Sequence, residues 1–147
     1  MRTLSACLCA FLLAAPALAE GGTVVVAKAG ATPLLLWDAT AMVTAAVASK
    51  RPREAALRDL ESQAMQILGR HARALNNAKS LTIRVIYQKT GAVSPVYGTA
   101  TFEGVERLFE LTAPYEKVLH AKQLADSIAR GTVPSGVRLN ITGTLPP

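Results

Sequence analysis

Two histidines, His71 and His120, are the leading candidates in the chain to carry protons or hold a metal. His71 falls within an apolar stripe of helical spacing, where a lone histidine is ordinarily a core side chain with a satisfied ring nitrogen. To act as a base or ligand it needs a carboxylate or second ligand beside it, and His120 falls on the polar side of its own segment. No HxxxH, HxH or HExxH occurs, so the spacing predicts no metal site. The serines sit in neither GxSxG nor SxxK, and Ser135-Gly136 reads as a turn. Glycan hydrolysis needs two facing carboxylates, and Glu103, Glu106 and Glu110 form the one acidic cluster. On a strand Glu106 and Glu110 share a face, and on a helix all three line one side. A solvated charged face accounts for them equally well. Gly30, Gly91, Gly98 and Gly104 are scattered at turn positions and form no phosphate loop. The expectation is a protein with no catalytic constellation and no cofactor.

Charge is the stronger signal. Sixteen Lys and Arg oppose ten Asp and Glu, for a net charge of +6. Between Lys50 and Lys89 nine basic residues face three acidic ones, whereas residues 90–147 balance at five against five. Arg51, Arg53, Arg58, Arg70 and Arg73 are the candidate binding residues, a basic face toward an anionic partner. A solvated helix face is the simpler alternative. Binding to RNA is disfavoured, because the strands lack the paired aromatics on which bases stack.

The chain has 147 residues, half of them hydrophobic and 18% charged, with mean hydropathy +0.27. That excludes a wholly disordered protein and allows one compact domain. The first nineteen residues read as a cleavable secretory signal: Arg2, an uncharged run from Leu4 to Ala15, Pro16, then Ala17-Leu18-Ala19. Cleavage is expected between Ala19 and Glu20. Leu4-Ser5-Ala6-Cys7 has lipobox letters but precedes the hydrophobic run instead of following it. Both cysteines, Cys7 and Cys9, leave with the signal, so the mature chain holds no disulfide or thiol. Losing Arg2 as well leaves fifteen basic against ten acidic residues, or +5. For an exported protein, anionic envelope components or acidic proteins are the expected counter-surfaces, not nucleic acid.

The pattern along the mature chain is α+β. A short β-branched strand is expected over 23–28, and an Ala-rich helix over Leu34–Ser49 behind Pro33. A second helix is expected from Glu54 to Asn77, with Leu57, Leu60, Ala64, Ile67, His71 and Leu75 on one face. Leu81, Ile83, Val85 and Tyr87 alternate as a strand, with Ile86 interrupting the polar face. A loop over 90–95 leads to a strand over 96–103, with Gly104 a candidate bulge. Residues 105–111 fit either strand or helix. Thr112 and Pro114 mark a helix that Gly131 ends, striped by Tyr115, Val118, Ala121, Ala125 and Ile128. A last strand covers 137–142, and Pro146-Pro147 reads as a frayed end.

The predicted order is βαββαβ, a small antiparallel sheet with helices on one face in the manner of a ferredoxin-like sandwich. Without the first strand it becomes αββαβ, which resembles, in element order alone, the small domains of envelope ring and secretion assemblies. The expected division is a signal peptide (1–19), an N-terminal strand and Ala-rich helix (20–53) and an α+β core (54–147), with 20–147 together one domain. The apolar stretch 34–49, followed by Lys50-Arg51-Pro52-Arg53, has the look of a stop-transfer segment. Its length of about 16 residues falls short of the ~20 a span needs, and Asp38 lies inside it.

Together these features predict an exported cell-envelope binding module, not an enzyme, that docks a protein or an anionic surface component. Peripheral membrane association and oligomerisation are compatible with it, as is a β-branched N-terminal strand donated to a partner's sheet. The alternatives are a periplasmic ligand-binding protein or hydrolase using His71, and a membrane-anchored accessory subunit held by residues 34–49.

Overall fold

A computed structural model describes residues 24–29, 32–75, 78–88 and 105–146. They form a mixed five-stranded sheet with four helices, an α+β architecture. The signal region, the expected loop and strand over 90–103, Gly104 and the Asn76-Asn77 helix end lie outside the described residues.

β1 (Val24–Ala29) runs antiparallel to β2 (Thr32–Asp38), which lies parallel to β3 (Ser80–Gln88). Two helices, α1 (Thr40–Ala48) and α2 (Arg53–His71), make the crossover, and a 3-10 turn over Ala72–Leu75 extends α2. β3 pairs antiparallel with β4 (Val105–Pro114), then α3 (Tyr115–Val118) and α4 (Ala121–Ala129) lead to β5 (Arg138–Ile141), antiparallel to β4. The strands lie in the sheet in chain order.

This corrects the expected βαββαβ antiparallel sandwich in three places. Leu34–Asp38 is strand, not the start of an Ala-rich helix. Leu34, Leu35, Leu36 and Trp37 are all buried, so the strand shows the unbroken apolar run of a two-sided strand and no period-two signal. Pro33 sits at the strand's start, where a missing N–H is tolerated. The helix begins only after Asp38, whose Oδ1 accepts from the Thr40 amide at 3.1 Å and from the Thr40 hydroxyl. Second, residues 105–111 are strand, and that strand runs on to Pro114, so Thr112 pairs across to Thr82 instead of starting a helix. Third, the parallel β2–β3 pair makes the sheet mixed. The stretch 34–49 is thus split between a strand and a nine-residue helix, and no helix among the described residues is long and apolar enough to cross a membrane.

The helices cover one face. Leu35 and Trp37, the alternating Leu81, Ile83, Val85 and Tyr87, and Phe109, Leu111 and Ala113 meet Val43, Leu60, Ala64, Ile67, Leu68, Ala125 and Ile128 in one core. β2, from the 20–53 segment, lies inside this core. The opposite face carries the Thr82–Thr112 hydrogen bond (2.9 Å) and an Arg84–Glu110 ion pair (2.7 Å) set directly across the strands. Gly131, at φ 90°, ends the α4 region in the left-handed conformation expected of a helix stop.

A cleft at the first helix

The catalytic candidates do not converge. The β3–β4 register shifts between Val85 and Ile86, so Phe109 opposes Val85 while Arg107 opposes Ile86, and Leu108 is the extra residue. Glu110 therefore faces Arg84, and Glu106 faces Tyr87 on the helix-covered side. The two carboxylates, four residues apart, end up on opposite faces and form no acid–base pair. His71 is half-buried, and its Nδ1–H donates to the Ile67 carbonyl at 2.9 Å, one turn back on its own helix. His120 is exposed at the start of α4. No group of three or more His, Cys, Asp or Glu that could hold a metal occurs among the described residues.

The basic candidates divide by position. At about 100° per residue, Arg53, Arg58 and Arg70 lie about 140° and 120° apart around α2, and Arg53 and Arg70 are ~25 Å apart along it. All are exposed. Arg58 lies over Gly131, Arg70 lines a shallow cleft beside Lys122, and Arg73 stands on the 3-10 turn. Arg51 and Arg53, by contrast, come together with Lys50 on one cleft of about 500 Å³ beneath α1. Arg51 is also tied to Asp59 at 2.7 Å, an exposed pair worth at most ~1 kcal/mol.

That cleft adjoins a larger one of about 690 Å³, and Val43 and Val47 of α1 line both. Tyr87, Gln88 and Glu106 close the far end. Val47 is 39% exposed, a large apolar side chain left open on a short helix. The result is one apolar trough with cations at one end and a carboxylate at the other. The apolar members were invisible in the sequence, because Val43 and Val47 read there only as part of an Ala-rich helix.

Local backbone chemistry sets the rim. α1 ends in a Schellman arrangement: Lys50 N donates to Val47 O (3.1 Å) and Arg51 N to Ala46 O (3.2 Å). Lys50 itself adopts φ 54°, in the position glycine normally fills. A side chain there costs roughly 1 kcal/mol, so the amino group is carried on the rim at the expense of local strain. At the other end of α1, Gln88 donates from its backbone to Thr40 Oγ1 (2.8 Å) and from its side chain to Asp38 Oδ2 (3.0 Å). The helix is therefore tied to the end of β3, and the cleft walls are fixed relative to each other.

One buried carboxyl lies apart from this trough. Glu61 on α2 is 7% exposed, and burial pushes its carboxyl above the ordinary carboxylate value while Arg58 pulls it back. A raised folded-state value means that the folded chain holds the proton at pH values where the unfolded chain has lost it. Stability from this group is then lowest at neutral pH and recovers as pH falls toward the unfolded value. Glu61→Gln is expected to raise the melting temperature by a few degrees at pH 7, and the gain should vanish near about pH 4. Paired melts across that range check it, and a gain independent of pH would refute the assignment.

No protein-family model, no curated protein and no solved structure matches the chain.

Proposed function

We propose that this is an exported, non-enzymatic binding module of a cell envelope, which holds an acidic, partly apolar segment of a partner protein in the α1 trough. The observation that carries the reading is Lys50, kept at φ 54° beside Arg51 and Arg53 on the rim of an apolar cleft. Strain of this kind, where glycine would be cheaper, points to use of the side chain. Charge complementarity then favours a partner segment with carboxylates at the basic end and apolar side chains over Val43 and Val47. Export rests on the Arg2 to Ala19 signal pattern, and the mature charge of +5 suits anionic surroundings.

Two variants separate fold from binding. Lys50→Gly should stabilise the chain by roughly 0.5–1 kcal/mol, by relieving the left-handed residue, while weakening association. Lys50→Glu with Arg53→Glu should abolish it. The readout is envelope fractionation of the full chain in a host that removes the signal, the product identified by an intact mass corresponding to cleavage after Ala19. Fractionation equal to wild type for the charge-reversed chain overturns the rim assignment. Equal flotation of wild type with protein-free anionic vesicles would instead give the surface to lipid.

A further inference from the structure

The trough is not empty of protein: the chain after β5 runs through it. Leu145 and Pro146 line both clefts together with Val43 and Val47, so this segment lies along the seam where the two clefts meet. Leu145 packs against the core cluster from outside. The anchoring is concentrated upstream, where the amides of Thr142 and Gly143 both donate to Leu108 O (2.9 and 3.0 Å). Gly143 is required there, because a Cβ at that position would stand 1.9 Å from the Arg107 carbonyl oxygen. Beyond it, the Tyr87 hydroxyl donates to Thr144 O at 3.2 Å, and Leu145 supplies the apolar contact.

We infer that residues 144–146 are an internal occupant of the groove, and that the acidic partner segment displacing them has an apolar centre of the same chemistry: an extended leucine–proline sequence. This inference rests on the docking reading above and gives its partner a sequence type. The groove already shows what it accepts. An aromatic hydroxyl meets a backbone carbonyl, a leucine packs against the core cluster, and a proline that follows lines both clefts. Proline suits such a ligand because it presents no N–H needing a partner and is already extended before binding. Displacement exchanges the Tyr87 bond and the Leu145 contact for equivalent ones, with the Gly143 anchor left in place. The intramolecular segment competes at high effective concentration, so the resting groove is held closed against weak ligands.

The test uses the full mature chain and a fluorescein-labelled peptide, Gly-Thr-Leu-Pro-Pro, amidated at its end. Leu145→Ala, which loosens the internal occupant, should bind the peptide at least tenfold more tightly than wild type by fluorescence polarisation. Adding Val47→Glu, at an exposed position, should remove that binding, as should replacing the peptide's leucine by alanine. In wild type, saturating peptide should shift the amide resonances of Thr144 and Leu145, a readout that does not depend on any variant folding. Equal affinity for wild type and Leu145→Ala, or binding that leaves those resonances unmoved, overturns the inference. The rim assignment is read separately: loss of envelope association in the Lys50/Arg53 charge reversal, with no peptide binding, leaves the docking reading standing and removes only the internal occupant.

Discussion

Trp37→Ala is expected to destabilise the chain by about 3–5 kcal/mol, a large share of the roughly 5–15 kcal/mol that holds a domain of this size together. Trp37 is completely buried in β2, between Val24 of β1 and Val85 of β3, and belongs to the central cluster under the helices. Its removal leaves the largest fully buried side chain unfilled where the parallel and antiparallel halves of the sheet meet. The indole also carries a cost, since its buried Nε1–H has no hydrogen-bond partner among the described residues. An unmet buried donor costs roughly 1–3 kcal/mol, so Trp37→Phe loses area but removes that penalty. The phenylalanine variant should therefore lie within about 1.5 kcal/mol of wild type. Urea unfolding followed by circular dichroism measures both, since Trp37 is the one tryptophan and its fluorescence is lost with it. Equal destabilisation by Ala and Phe would show that the indole N–H has an acceptor.

Sequence periodicity revealed those elements that bury only one face. The 81–87 alternation, the Leu60, Ala64 and Ile67 stripe of α2 and the Val118, Ala121, Ala125 and Ile128 stripe after Pro114 all lie buried as their spacing requires. β2 escaped because both its faces are covered, which erases alternation, and because Pro33 and the following alanines mimic a helix start. β4 stays open between strand and helix in the sequence because the extra residue Leu108 is buried together with Phe109, which gives adjacent apolar residues a helical look. The same bulge sends Glu106 and Glu110 to opposite faces, a geometry that no count along the chain contains.

The candidate site was half legible for a related reason. A run of Arg and Lys is visible as charge, but which of them share a surface depends on where α1 turns into α2. That turn draws Lys50, Arg51 and Arg53 to one cleft and leaves Arg70 and Arg73 at the far end of α2. The segment alongside, Leu145 and Pro146, carries no periodic signal in the sequence, and only its return past Leu108 gives it a place.

Gly69→Ala is expected to destabilise the chain by about 2 kcal/mol, against the ordinary direction for a helix interior. There, replacing glycine by alanine gains up to ~1 kcal/mol. Here α2 and α4 run antiparallel in close contact, with Ser62 Oγ donating to the Ala125 carbonyl at 2.9 Å and Gly69 meeting Ala121. A Cβ on Gly69 would stand 2.4 Å from the Cβ of Ala121, so the helices must separate. Overpacking of that kind costs roughly 1–3 kcal/mol, and separation also stretches a buried hydroxyl bond. The clash outweighs the propensity. Because its other half is a single methyl group, Ala121→Gly combined with Gly69→Ala should recover most of the loss, although Ala121→Gly alone costs ~1 kcal/mol. The double-mutant cycle should show a coupling of about 1–2 kcal/mol, whereas additive effects would mean that the helices do not approach so closely. The contact lies away from the α1 trough, so envelope association should survive in every member of the cycle that folds.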